Sequence, residues 1–135
     1  DLLAARLLGA VTWCRAQRLP TPIGLFGAST GAAAALLAAA ELGSEVGAVV
    51  SRGGRPDLAV ARLAEVRAPT LLVVGGHDHQ VLELNRQAAE HLTGCEHRLA
   101  VVAGATHLFE EPGTLESAAT LARDWFLTHL TGPST

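Results

Sequence analysis

Short apolar runs of strand length alternate along this chain with longer segments in which apolar residues recur at helical spacing. In the first of these segments Leu3, Leu7 and Val11 repeat every four residues, which predicts one buried face of a helix. Strands are predicted at residues 23–26, 46–50, 70–74 and 98–102, and helices at residues 2–18, 30–42, 57–66, 81–92 and 115–130. The run at 23–26 is apolar throughout, as is typical of a strand buried on both faces.

This alternation defines the fold class as α/β. Strand–helix–strand units of these lengths imply right-handed crossovers, and therefore a mostly parallel sheet with helices on both faces. Residues 1–135 contain no internal repeat and no linker, so we expect a single domain. Because the chain contains no Met, we also expect that it starts partway into a longer protein.

Composition narrows the classes of function. The formal charge is −3, without a cluster of Lys or Arg, so neither nucleic acid nor an anionic membrane is expected as a partner. No stretch reaches the roughly 18 consecutive apolar residues of a membrane span, and the N-terminus does not resemble a signal peptide. Cys14 and Cys95 fit no metal-binding spacing and are expected to be buried free thiols. These features favour a cytoplasmic location.

Residues 27–31 read GASTG, which matches the pattern G-x-S-x-G directly after a predicted strand and directly before a predicted helix. In this context Ser29 is a nucleophile held on a tight turn, and the first backbone N–H groups of the helix point at a developing oxyanion. Side chains at Gly27 and Gly31 are expected to collide with neighbouring backbone. The alternative is a turn of small residues that only packs the helix against the strand.

Two further groups with catalytic chemistry follow later strands. Asp78 comes after the strand at 70–74 and can orient a histidine, although it can equally cap the next helix. His107 comes after the strand at 98–102 and can accept the serine proton, although it can also be an ordinary loop residue. Ligands bind beyond the carboxyl ends of parallel strands. The chain order Ser, Asp, His, each after its own strand, therefore favours a catalytic triad.

Four stretches carry a resemblance to a known family: GLFGASTG (24–31), VVSRGGRPD (49–57), LVVGGHD (72–78) and GATHLFEEPG (104–113). They resemble the dienelactone-hydrolase-like branch of the α/β-hydrolases, in particular bacterial members that occur alone or fused to a phosphoribosyltransferase domain. The resemblance covers essentially the whole chain and implies the C-terminal portion of an α/β-hydrolase fold. It implies Ser29, Asp78 and His107 as the triad, and the amide of Thr30 as one oxyanion-hole donor.

Two departures from the family pattern bear on function. Dienelactone hydrolases proper have cysteine where this chain has Ser29, which argues against dienelactone as the substrate. The family sheet also has more strands than are predicted here, and the remaining part would carry the second oxyanion donor. An upstream half or a second copy of the chain is expected to cover the apolar edge of the first strand.

Two functions follow as hypotheses. The first is a serine hydrolase that cleaves an ester or related acyl bond of a small molecule through an acyl-enzyme, without a cofactor. The second is a catalytically incomplete module that acts only with its upstream half or a partner subunit. Phosphoribosyl transfer is not expected, because no acidic pair opens a phosphate-cradling loop at the end of a strand.

Other polar residues lie near the predicted site. Asp57 is an alternative triad acid, although its place after Pro56 suits the start of a helix. Arg52 and Arg55, beside two glycines, can bind a carboxylate or phosphate group of a substrate, or belong to a solvated loop.

No metal site is predicted, because the loop histidines 77 and 79 lack the spacing of a helical zinc pair. Glu110 and Glu111 are interpreted as solvent-facing charges before the last helix.

Overall fold

Four parallel strands form the sheet of this protein, whose computed structural model describes residues 2–17 and 22–130. The strands lie side by side in chain order, and each neighbouring pair is parallel. They are β1 (Ile23–Ala28), β2 (Val46–Arg52), β3 (Thr70–Gly75) and β4 (His97–Val102). The predicted fold class is therefore confirmed, and all four predicted strands are present.

The connections are helical and place helices on both faces of the sheet. The α-helices are α1 (Leu2–Ala16), α2 (Thr30–Leu42), α3 (His79–Ala89) and α4 (Thr114–Leu130). The helix predicted at 57–66 is a 3₁₀ helix over Pro56–Glu65, and a short 3₁₀ turn over Gly43–Glu45 follows α2. The predicted end of the first helix, at residue 18, lies outside the described residues. Within the described ranges no helix is both long enough and apolar enough to cross a bilayer.

Two apolar cores hold the helices to the sheet. On one face α2 packs against the strands with eight of its 13 residues buried, seven of them Ala. Small side chains let a helix backbone approach the sheet closely, and this brings the first turn of α2 against the end of β1. On the other face α4 packs through Ala118, Ala122 and Trp125, and the indole N–H of Trp125 donates to the carbonyl oxygen of Pro69 over 3.2 Å.

The first strand differs from the prediction that both of its faces are buried. Only Leu25 and Gly27 are buried, and the Phe26 side chain is 50% exposed. The cause is the place of β1 at the edge of the sheet, where it pairs with β2 alone among the described strands. The interior strand β3, flanked by β2 and β4, is buried along its whole length.

The first helix also differs in which face is buried. α1 packs against α2 through Ala4 and Val11, while Leu3 is 43% exposed. Both cysteines are free as predicted, but Cys14 and Cys95 are half-buried rather than buried. Partial burial raises the pKa of the Cys95 thiol.

Candidate active site

Ser29 occupies the turn between β1 and α2 in a backbone conformation that non-glycine residues rarely adopt, with φ 50° and ψ −123°. Backbone hydrogen bonds to a strand, a helix and a loop hold it there. Its N–H donates to the carbonyl oxygen of Arg52 over 3.3 Å, and its own carbonyl oxygen accepts from the N–H groups of Ala32 at 3.2 Å and Arg55 at 3.1 Å. The nucleophile candidate is therefore fixed through its main chain by β2, α2 and the loop after β2.

The glycines around the serine have different roles. A Cβ at Gly27 would collide with the carbonyl oxygen of Gly31 and come within 2.7 Å of the Ala32 Cα, so only glycine lets α2 start so close to β1. The same prediction for Gly31 is wrong, because outside its chain neighbours and the adjacent backbone of α2 no described atom lies within 4 Å of a Cβ built there. A side chain at Gly31 would point away from the strand into open space.

Asp78 follows β3 and directly precedes α3. Although it occupies the N-cap position of α3, its carboxylate makes no capping hydrogen bond. Instead Oδ2 accepts a hydrogen bond from His107 Nδ1 over 2.7 Å, with only 14% of the Asp78 side chain exposed. The Asp78 side chain therefore binds His107 and does not cap α3, which was the alternative prediction.

His107 lies on the loop after β4 and joins the two other residues. Its Nε2 is 2.8 Å from the Ser29 Oγ, while Nδ1 is 2.7 Å from the Asp78 carboxylate. With the proton on Nδ1, the ring donates to Asp78 and accepts from the Ser29 hydroxyl. The three residues predicted from separate parts of the sequence thus form one continuous hydrogen-bonded chain at the carboxyl edge of the sheet.

Thr30 is the first residue of α2. The amide of a first helical residue has no acceptor within its own helix, so the Thr30 N–H is available to a ligand at the site. The positive end of the helix dipole lies at the same place.

Of the other predicted polar residues, Asp57 and Arg55 pair with each other, whereas Arg52 contacts aromatic rings. Asp57 accepts hydrogen bonds from two nitrogens of Arg55, at 3.0 and 2.9 Å. This pairing lowers the pKa of Asp57 and raises that of Arg55. His107 pairs with Asp78 and not with Asp57, the alternative acid. The Arg52 guanidinium lies over two phenyl rings, 6.0 Å from the centroid of Phe26 and 5.6 Å from that of Phe109.

Two supporting residues were missed in the sequence. Glu111, interpreted as a solvent-facing charge, accepts hydrogen bonds from both the N–H and the hydroxyl of Thr106. Asn85 is completely buried, and its Nδ2 donates to the carbonyl oxygen of Gly54 over 3.1 Å. For the hydrogen bond between Asn85 and Gly54, the only signal in the sequence is a polar residue on the inward face of a predicted helix.

Among the described residues no group of three or more His, Cys, Asp or Glu side chains is arranged to hold a metal ion. The rings of His77 and His79 are 6.2 Å apart, centroid to centroid, and tilted by 33°.

Comparisons with known proteins agree with this architecture. Residues 2–129 match the dienelactone hydrolase family. A protein of two Mycobacterium tuberculosis strains, named as a phosphoribosyl transferase, is 59% identical over 136 residues. That match covers 98% of this chain and 30% of the relative.

Solved structures give the same fold. A dienelactone hydrolase from Anabaena variabilis is 52% identical, with a TM-score of 0.89 over 94% of this chain and 59% of that protein. Dipeptidyl peptidase 4 of Porphyromonas gingivalis has a TM-score of 0.81 at 15% identity, over 95% of this chain and 23% of the peptidase. This second likeness concerns the fold alone. The chain thus spans 59% of the length of the Anabaena protein and 30% of that of the mycobacterial relatives.

Proposed function

We propose, from the premise that this chain belongs to the dienelactone hydrolase family, that it is a serine hydrolase acting on an ester or related acyl bond. The observation that carries the proposal is the hydrogen-bonded chain from Ser29 through His107 to Asp78, with distances of 2.8 and 2.7 Å. A nucleophile within hydrogen-bond reach of a base that is itself oriented by a third group is the signature of nucleophilic catalysis.

The reaction proceeds in two halves. Ser29 Oγ forms a bond to the acyl carbon while its proton passes to His107 Nε2, and the carbonyl electrons move onto oxygen. Collapse of this intermediate breaks the bond to the leaving alcohol, which takes the proton from His107. Water then attacks the acyl-enzyme and loses a proton to His107. Collapse of this second intermediate breaks the bond between the acyl carbon and Ser29 Oγ, which takes the proton back from His107, and the acid is released. Asp78 keeps the proton on Nδ1 and stabilises the ring when it becomes charged.

The amide of Thr30 is the first oxyanion donor in this proposal, at the N-terminus of α2. Loss of one such donor typically costs about 10²–10³ in turnover, so a second donor matters. We propose that it comes from a segment or subunit next to β1. The edge of β1 that pairs with no described strand and the half-exposed ring of Phe26 support this position.

The second candidate function, a catalytically incomplete module, follows from the same edge of β1. If the second donor is supplied by another part of the protein or by a partner, the 135 residues alone are a catalytically incomplete module. Comparing ester turnover by the isolated 135 residues with turnover by the full encoded protein tests this. Equal kcat values would exclude the second candidate, and activity restricted to the full protein would favour it.

For the substrate, the proposal is a small acyl ester rather than dienelactone, because the nucleophile is Ser29. Of the two arginines predicted to bind an anionic group, Arg52 is the better candidate. Arg55 is engaged by Asp57, whereas Arg52 forms no ion pair among the described residues and lines an apolar cavity of about 220 Å³. The same proposal assigns the activity to the cytoplasm, which the two free thiols support.

Hydrolysis of p-nitrophenyl acetate by the full encoded protein tests the proposed function. Replacement of Ser29 with Ala should abolish turnover, because the attacking oxygen is lost. Ser44→Ala, an exposed serine beyond the other end of α2, is the matched control and should keep the wild-type rate. Turnover that survives in Ser29→Ala would remove Ser29 from the role of nucleophile.

A further inference from the structure

The carboxylate of Glu111 closes the loop that carries His107. One oxygen, Oε1, accepts a hydrogen bond from the Thr106 N–H over 3.0 Å, and the other, Oε2, accepts from the Thr106 hydroxyl over 2.7 Å. Thr106 directly precedes His107 in the chain. The side chain of Glu111 therefore fixes both the backbone and the side chain of the residue next to the imidazole.

The main chain of Glu111 is anchored at the other end of this loop. Its carbonyl oxygen accepts hydrogen bonds from the N–H of Thr114 at 3.1 Å and from the Thr114 hydroxyl at 2.8 Å. Thr114 is buried and begins α4, which packs on the sheet. Glu111 thus connects Thr106 to the buried first residue of α4.

Between these anchors the loop is held by Phe109, which is buried in the core and whose N–H donates to the carbonyl oxygen of Thr106 over 3.1 Å. Thr106, His107 and Leu108 are all exposed, and Leu108 is 67% exposed. Phe109 is buried but has a positive φ of 54°, a conformation that persists only when the surroundings hold it. A loop of this kind requires a fixed point close to His107, since His107 must reach Ser29 and Asp78 at the same time.

We propose that Glu111 is a positioning residue, which holds Thr106 so that the imidazole of His107 stays within hydrogen-bond distance of both Ser29 and Asp78. This inference rests on the proposed function. Hydrogen bonds to a charged carboxylate are shorter and stronger than those between neutral groups. The Thr106 hydrogen bonds lower the pKa of Glu111, so the carboxylate is charged throughout the neutral range. A misplacement of about 1 Å at a catalytic group can cost on the order of 10²-fold in rate.

The test uses four substitutions at Glu111 and Thr106, one control substitution and one double variant, all in the full encoded protein. Glu111→Ala removes both acceptors, whereas Glu111→Gln keeps an acceptor for the Thr106 N–H. Thr106→Val removes the hydroxyl at nearly constant shape, whereas Thr106→Ser keeps it. Glu110→Ala, at the exposed neighbouring residue, is the matched control. The readouts are kcat and KM for p-nitrophenyl acetate, and the rate and final extent of labelling by a fluorophosphonate.

The expected result is a lower reaction rate at a site that is still correctly folded. Glu111→Ala should lower kcat and the labelling rate by about 10–100-fold, while KM changes much less and the final extent of labelling stays complete. Thr106→Val should show a smaller loss of the same kind, and the two conservative variants should restore most of the rate. Because Glu111→Ala already removes the bond that Thr106→Val removes, the double variant should be no slower than Glu111→Ala alone.

Three results would overturn the inference. The first is wild-type labelling rates in Glu111→Ala. The second is a reduced final extent at an unchanged rate, since that indicates unfolding rather than misplacement. The third is a fully multiplicative loss in the double variant. Labelling that is absent from Ser29 in the wild-type protein would instead contradict the proposed function, and the inference with it.

Discussion

Replacing Gly27 with Ala tests how closely β1 and α2 approach each other. The new Cβ would meet the carbonyl oxygen of Gly31 and lie 2.6 Å from the attached carbon and 2.7 Å from the Ala32 Cα. Non-bonded carbon atoms pack at about 3.5–4.0 Å, so roughly 1 Å of extra separation must come from moving backbone. Overpacking typically costs about 1–3 kcal/mol. Since the colliding atoms are backbone and cannot rotate away, we expect a loss of at least about 2 kcal/mol in the free energy of unfolding.

The assay is urea unfolding followed by tryptophan fluorescence, with ester turnover measured alongside. Gly31→Ala is the matched control, because outside its chain neighbours and the adjacent backbone of α2 no described atom lies within 4 Å of a Cβ at that position. Alanine favours a helix by up to about 1 kcal/mol over glycine, so Gly31→Ala should be as stable as the wild type or slightly more stable. A Gly27→Ala protein that unfolds at the wild-type urea concentration would refute the reasoning, as would a Gly31→Ala protein that is the less stable of the two.

Three further predictions concern the two candidate acids, Asp78 and Asp57, and the core residue Leu72. Asp78→Asn should lower kcat by about 10⁴-fold, whereas Asp57→Asn should lower it far less because Asp57 pairs with Arg55 and not with His107; equal losses in ester turnover would contradict this. The pKa of Asp57 is lowered from its ordinary 3.8, so its stabilisation is complete above that pH and is lost as the pH falls through the lowered pKa. The difference in Tm between wild type and Asp57→Asn should therefore be present at pH 7 and vanish in strong acid; a difference that persists there would have another origin. Leu72→Ala, in the fully buried centre of β3, should cost about 2–5 kcal/mol in urea unfolding, and a loss below about 1 kcal/mol would contradict the packing described.

The strands, and the placement of Ser29, Asp78 and His107 directly after three of them, could be predicted from sequence because these signals are local. The apolar runs end at Gly27, Gly75 and Gly104. Ser29, Asp78 and His107 each come within three residues of one of these glycines. In a parallel sheet the carboxyl ends of strands meet at one edge, so chain order alone brings Ser29, Asp78 and His107 together.

The remaining features depend on contacts that sequence patterns do not carry. The role of Glu111 depends on a loop that turns back to bring residue 111 to residue 106, which no periodicity encodes. The exposure of Phe26 depends on which strand lies at the sheet edge, and the space beside Gly31 depends on the direction in which α2 leaves the strand. Each of these is a property of the tertiary arrangement.

Covalent labelling followed by peptide mass spectrometry tests the central claim most directly. The full encoded protein is incubated with a fluorophosphonate, digested, and examined for the modified residue. A single adduct on Ser29, much slower to form in His107→Ala, is the predicted result. An adduct on another residue, or formation at the wild-type rate when His107 is replaced, would contradict the account.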